Sequence, residues 1–160
     1  MSEQKHFYDL EIVWTGNLGK GTLGYQAYDR SHNIKSIGKS DILASSDPAF
    51  RGDSTRWNPE EMLLASLSSC HMLWYLHLSA ISNVSVLAYE DHPKGELITG
   101  PDGSGYFENV SLYPKIKISK KSSIDMATML HGEAHKKCFI ANSVNFPISI
   151  FPVVKNCEKI

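Results

Sequence analysis

Residues 57–82 read WNPEEMLLASLSSCHMLWYLHLSAIS. Asn58 can cap a helix, Pro59 suits the first helical position, and Glu61 stands where a capping-box acid reaches back to the cap. Glu60 and Glu61 also match the positive end of the helix dipole. From Met62 to Ile81 there is no Asp, Glu, Lys or Arg. The stretch therefore predicts a helix to about Ser82, apolar on nearly every face and roughly 35 Å long. One small sheet cannot cover such a helix, so the sequence asks for a partner subunit. A run of about 20 uncharged residues also has the length of a bilayer span. Two histidines and four serines within it, no flanking cluster of Lys or Arg, and no second span argue against a membrane helix.

Upstream, His6–Trp14 (HFYDLEIVW) and Thr22–Tyr28 (TLGYQAY) are rich in aromatic and branched residues, with the glycine-bearing TGNLGKG between them. They predict a hairpin, with a weaker strand over Asn33–Ile37. Asp41–Trp57 reads as irregular, broken by Pro48 and Gly52. Downstream, strands are predicted over Val84–Tyr89, Glu96–Thr99 and the long alternating run Gly105–Ile118, with turns at Pro93-Lys94-Gly95 and at Pro101–Gly105. Ser122 or Ser123 caps a second helix to about Lys137, with Met126, Met129, Leu130 and Ala134 on one face. The tail Phe146–Val154 predicts a strand whose two prolines place it at an edge. Strands, long helix, strands, helix, strand is an α+β order. No linker or repeat divides it, so residues 1–160 are expected to form a single domain.

Composition sets outer bounds. Apolar residues are 42% and charged residues 21%, enough for a core without disulfide staples. Net charge is -1, and the densest basic stretch, Lys115–Lys121, is a short one that reads as a solvated strand end. Nucleic acid is not an expected partner, because phosphate contact needs a concentrated basic surface. The opening MSEQKHFYDLEIVW shows no secretory pattern, so the expected compartment is the cytoplasm.

Three cysteines, Cys70, Cys138 and Cys157, make a permanent disulfide framework an unsuitable reading in a reducing compartment. Cys70 lies inside the long helix, where a cysteine is ordinarily an inert core thiol. Ser68, Ser69 and His71 nevertheless form a polar interruption around it. Cys138 follows His135, Lys136 and Lys137, and positive neighbours favour the reactive thiolate. Cys157 reads as a surface or tail thiol.

RWNPEEMLLASLSSCHMLWYLHL, with Cys70 ten residues after Glu60, and the later EAHKKCFIANSV around Cys138 together resemble the OsmC/Ohr family of hydroperoxide-reducing proteins. The order of elements agrees over nearly the whole chain. The resemblance implies an intertwined homodimer in which two chains exchange strands around central helices. It implies that Cys70 is the peroxidatic thiol and Cys138 the resolving one. It implies an organic hydroperoxide as substrate, an external dithiol such as a lipoyl-bearing protein as reductant, and no cofactor. The family's arginine in the loop before the helix is carried over to Arg51, with Arg56 as the other arginine of that loop; its glutamate is Glu60. Serines before Cys70 and His71 after it, where the well-defined peroxidases carry small apolar residues and a Phe, place the chain nearer a less characterised OsmC-like branch.

These roles are chemically coherent. A guanidinium favours a buried thiolate and stabilises the departing alkoxide, and a carboxylate holds the guanidinium by a bidentate pair. Ten helical residues separate Glu60 and Cys70 by ~15 Å. Within an unbroken helix, the two meet in one site only if Glu60 comes from the partner chain. Two rival readings remain. Cys70, His71, His135 and Cys138 have zinc-ligand chemistry, although adjacent helical residues point apart. Alternatively, Trp57, Met62, Met72, Trp74 and Tyr75 line a pocket for a small apolar ligand in a non-catalytic dimer. His71 is read either as an acid or base near the thiol or as a hydrogen-bonded buried histidine.

Overall fold

In the computed structural model, which describes residues 4–158, the apolar stretch is one uninterrupted helix, α1, Pro59–Ile81. Its start is the reciprocal box read from the sequence. The Glu61 N–H donates to Asn58 Oδ1 (2.8 Å) and the Asn58 N–H donates to Glu61 Oε2 (3.2 Å). It stops at Asn83, whose φ of 57° is left-handed, while the Val84 N–H turns back to Ser79 O at 2.9 Å. Among the described residues, no helix is long and apolar enough to cross a membrane.

Two compact units divide the chain, the first ending at Met62 and the second beginning at Leu63. The first carries a meander of β1 (Glu11–Trp14), β2 (His32–Lys35) and β3 (Ile42–Ala44), both pairs antiparallel. The predicted hairpin between residues 6–14 and 22–28 is not formed. Strand β1 pairs instead with β2, and Thr22–Tyr28 lies in the connection, touching Asn17 through one isolated bridge at Tyr28. The aromatics that suggested a strand serve another purpose there: the Arg30 guanidinium lies over the rings of Tyr25 (4.4 Å) and Tyr28 (4.2 Å) and donates to both their carbonyls. Residues 41–57, expected to be irregular, include β3 and a turn of 3-10 helix over Pro48–Phe50.

The second unit holds α1 from Leu63 onward, two three-stranded sheets and α2 (Ile124–Lys137), started by Ser123, whose Oγ accepts from the Met126 N–H at 3.2 Å. One sheet orders β4 (Val86–Glu90), β7 (Lys115–Ser119) and β9 (Val153–Cys157). The other orders β5 (Lys94–Thr99), β6 (Gly105–Leu112) and β8 (Ile148–Ile150). The long run expected over 105–118 is thus two strands in two sheets, and the tail expected as one strand is also two. Proline explains both breaks, since Pro114 and Pro152 cannot donate to a ladder. Strands β8 and β9 lie at sheet edges, as the prolines predicted, each parallel to its partner. Lys94 and Gly95, read as a turn, belong to β5; a Cβ on Gly95 would sit 2.6 Å from Phe107 and 2.8 Å from Leu64. Cys157, read as a tail thiol, ends β9 half-buried.

Alternation on β7 buries Ile116 and Ile118 and leaves Lys115 and Lys117 in solvent, so the basic stretch is a solvated strand face. Ile116 and Ile118 pack with Tyr75 and Leu78 of α1 and with Ala127, Leu130 and Ala134 of α2. Each isoleucine buried in this way contributes about 2–3 kcal/mol. Leu67, Val110 and Leu112 form a second cluster under β6. On α2 the buried face is Ala127, Leu130, His131 and Ala134, whereas Met126 and Met129 are exposed. The face read from the sequence shares Leu130 and Ala134 with the buried one and is turned toward the methionines, while the true face is centred on 127, 130, 131 and 134.

Candidate active site

Cys70 projects from the middle of α1, half-buried, and Cys138 caps the end of α2, almost fully buried. The Cys138 N–H donates to His135 O (3.2 Å), which ties the residue to the last turn of its helix. The Cys70 side chain lies close enough to Cys138 to act on its thiol, so residues far apart in sequence are brought together. Burial first, then the neighbouring Cys70 side chain, push the Cys138 thiol up to about 11. The amides of Ala141 (N–H to Sγ, 3.4 Å) and Ile140 act in the opposite sense and favour its thiolate. Beside the pair, Leu73, Trp74 and His77 line an apolar depression. The Phe139 ring meets Trp74 edge-on at 5.6 Å, and Lys137 Nζ lies 5.7 Å from the Trp74 ring.

His71, the neighbour of Cys70, turns the other way. It is buried, and its Nε2 shares a 3.0 Å hydrogen bond with Nδ1 of His131 on α2. The histidine predicted to be buried and hydrogen-bonded is therefore so. Adjacent residues of α1 point apart, and among the described residues no three His, Cys, Asp or Glu side chains gather to hold a metal ion. Burial holds His71 down to about 4, helped by nearby His135 and opposed by Asp91; burial and then His71 hold His131 down to about 3. Both rings are neutral near pH 7. His131 stacks on Tyr75 at 4.0 Å, and Tyr75 tilts against Tyr89 at 5.9 Å. Burial raises the pKa of both tyrosines. Asp91 secures the middle of α1: its carboxylate accepts from Ser68 Oγ (2.5 Å) and from the Tyr113 N–H (2.7 Å).

The sequence did not single out His131, Tyr89 or Asp91. His131 was findable, because with Ala127, Leu130 and Ala134 it completes the buried face of α2, and it lies two turns before Cys138.

The polar residues expected to assist lie in the first unit. Arg51 takes a left-handed φ of 66° at the end of the 3-10 turn, is exposed, and reaches over Tyr25 at 5.8 Å. Arg56 Nε lies 3.6 Å from Asp53 Oδ2, while its Nη1 is buried without a hydrogen-bond partner among the described residues. Glu60, in the first turn of α1, likewise buries Oε2 without a partner. Among the described residues no ion pair joins Glu60 to either arginine.

The family described as OsmC-like protein matches residues 52–151. An OsmC-like protein of unknown function from Vibrio cholerae O1 biovar eltor superposes with a TM-score of 0.82 at 31% identity, covering 96% of this chain and 100% of that one. An organic hydroperoxide resistance protein from Elizabethkingia anophelis superposes at 0.66 with 20% identity, over 96% and 100% of the two chains. The organic hydroperoxide resistance protein OhrB of Bacillus subtilis does so at 0.60 with 19% identity, over 92% and 98%. No curated protein matches the sequence. With a match over most of its length, a thiol pair at the junction of two helices and a neighbour above 30% identity along nearly the whole chain, the protein belongs to the OsmC-like family.

Proposed function

We propose that the protein is a thiol peroxidase that reduces organic hydroperoxides in the cytoplasm. The observation that carries this reading is the proximity of the Cys70 and Cys138 side chains, close enough for Cys70 to act on the Cys138 thiol. The Cys70 thiolate attacks the O–O bond, giving a Cys70 sulfenic acid and an alkoxide, which takes up a proton and leaves as an alcohol. Cys138 then attacks the sulfenic sulfur; its thiol proton and the hydroxyl depart together as water, and a Cys70–Cys138 disulfide remains. An external dithiol, of the kind a lipoyl group presents, reduces the disulfide by exchange. The half-buried Cys70 is open to substrate, and the buried Cys138 is shielded from the peroxide and serves its partner. The apolar lining of Leu73 and Trp74 suits an alkyl or aryl hydroperoxide better than hydrogen peroxide.

The working form is a homodimer. Of the 23 residues of α1, only Leu67, His71, Tyr75, Leu78 and Ser79 are buried, and Leu73 and Ile81 stand open, so the helix presents apolar surface for a second chain. The unpartnered Glu60 Oε2 and Arg56 Nη1 are groups for an assembled site to satisfy. Glu60 orients the guanidinium that favours the thiolate. That guanidinium is Arg51 or Arg56, and the buried free donor of Arg56 supports the second.

The test is consumption of tert-butyl and cumene hydroperoxide and of hydrogen peroxide, with dithiothreitol as reductant. Wild type is expected to consume the organic peroxides faster, Cys70→Ser to be inactive, and Cys138→Ser to stall after one turnover. Wild-type consumption no faster than Cys70→Ser, with intact thiols and an intact dimer, overturns the reading. It favours a non-catalytic dimer that binds a small apolar ligand.

A further inference from the structure

Helices α1 and α2 meet through a mostly apolar surface. The α2 side is Ala127, Leu130, His131 and Ala134, and the α1 side is Tyr75 and Leu78. Ala127, Leu130, Ala134 and Leu78 meet only by apolar contact, which has no preferred direction. A hydrogen bond does have one. Among the described residues, the 3.0 Å bond between His71 Nε2 and His131 Nδ1 is the only side-chain hydrogen bond joining the two helices. It is an expensive choice for a core position. His71 is 1% exposed and His131 3%, and the outer nitrogens, His71 Nδ1 and His131 Nε2, are buried without partners. A leucine or phenylalanine in either place would carry no such cost.

The position of the bond suggests what it does. On α1 it is anchored at the residue next to Cys70. On α2 it is anchored two turns before Cys138, which the His135 carbonyl holds to the same helix. A slip of one residue moves α2 by ~1.5 Å along its axis. A disulfide requires sulfurs about 2.05 Å apart and a narrow window of Cα separations, so a slip of that size opens the pair.

We infer that the His71–His131 hydrogen bond is the positioning element that holds Cys138 in register against Cys70 and thereby sets how readily the two close into a disulfide. His71 and His131 act on the sulfurs only through the helices that carry them. The inference builds on the peroxidase reading by giving the resolving step its geometry, but the closure itself can be measured without any peroxide. Two Cys thiols and an oxidised dithiol give the protein disulfide and the reduced dithiol, and the equilibrium constant reports how well the pair is held.

The experiment is a redox titration of full-length protein in mixtures of reduced and oxidised dithiothreitol. Alkylation and mass spectrometry quantify the Cys70–Cys138 disulfide. His131→Phe keeps a ring to stack on Tyr75 and removes the hydrogen bond. It is expected to lower the equilibrium constant at least about tenfold, which makes the potential about 30 mV less negative. Leu130→Ala, a cavity in the same cluster with no part in the bond, is the control for lost stability. It is expected to lower Tm while leaving the constant within about threefold of wild type. If His131→Phe does not fold, His131→Leu is read in its place.

An unchanged constant in the folded His131 variant, or an equal fall in Leu130→Ala, overturns the inference. So does failure of both His131 variants to fold, which makes the histidine a requirement of the fold alone. A wild type that forms the disulfide with the expected variant response but consumes no hydroperoxide sinks the peroxidase reading and leaves the inference standing. A wild type that forms no disulfide at any oxidant ratio sinks both.

Discussion

The two units of this chain bury themselves very differently. In the second, two clusters built on α1, α2 and the paired sheets enclose Tyr75, Leu67, Leu112, Ile116 and Ile118 almost completely. In the first, Ala44 is the one buried hydrophobic residue among those described, while Phe7, Tyr8, Leu10, Ile12, Trp14, Tyr25 and Leu43 stand exposed. A three-stranded meander with its aromatic residues in solvent is not stable by its own burial. On the proposed reading, the contrast separates two jobs. The second unit carries the thiols on a packed scaffold, and the first carries Arg51, Arg56 and Glu60 on a frame that needs covering.

Several experiments can break that division of labour. The largest effect is expected from Cys70→Ser, which should abolish organic hydroperoxide consumption while leaving Tm and sedimentation close to wild type. Parallel loss of fold would show that the thiol belongs to the scaffold and not to the chemistry. Next, charging the open face of β1 with Ile12→Asp and Trp14→Asp should convert a dimer to monomer in analytical ultracentrifugation, with activity lost. A stable, active dimer would refute the idea that the first unit is covered by a second chain. Glu60→Gln should then lower kcat/KM by roughly 10²-fold, the scale of a lost charge-orienting contact. Arg56→Met should match it, and an equal fall for Arg51→Met alone would return the role to Arg51.

Smaller effects probe the scaffold itself. The His71–His131 pair is neutral in the fold and protonates freely once unfolded. Its stabilisation is therefore complete above pH ~6.5 and fades as the pH falls toward about 4 and about 3, the values of the two buried rings. Tm should drop by about 5–10 °C across that window, and His131→Phe should flatten the slope. His135 and Asp91 face His71 with opposite influence, so Asp91→Asn should steepen the same slope. The smallest effect belongs to Asn58→Ala, which removes half of the capping box. It should cost about 1 kcal/mol, or 2–4 °C in Tm by calorimetry.

The start of α1, its length and its end were legible because capping and helical period are local rules, and each is met by residues within a few positions of one another. The two cysteines were legible as a pair only through the resemblance, since nothing in SSCHM or HKKCF by itself brings one sulfur to the other. Pairing in the first unit was misread because aromatic, branched stretches mark strands only on average. Tyr25 and Tyr28 are aromatic in order to sandwich Arg30, and the sequence carries no sign of that until the chain has turned. Both proline breaks were visible as residues, but their consequence, a change of sheet, is a long-range fact. His131 was hidden by a more ordinary cause: Met126 and Met129, on a neighbouring part of the helix surface, looked more apolar than a histidine.

The parallel pairing of β6 with β8 and of β7 with β9 sets an order of events during synthesis. Neither sheet is complete until residues 148–157 have been made, because a parallel partner cannot be supplied by a nearby hairpin. At roughly 5–20 residues per second, Cys70 emerges several seconds before Cys138 and before the strands that enclose the core. During that interval, on the proposed peroxidase reading, the attacking thiol exists without its resolver. An oxidant arriving then turns Cys70 into a sulfenic acid that no neighbouring thiol can close, and a second equivalent takes that sulfur to a sulfinic acid that a dithiol cannot reduce. If the proposed reading holds, such a protein is most vulnerable to its own substrate while it is being made, and a stock made before the peroxide arrives is the better protected.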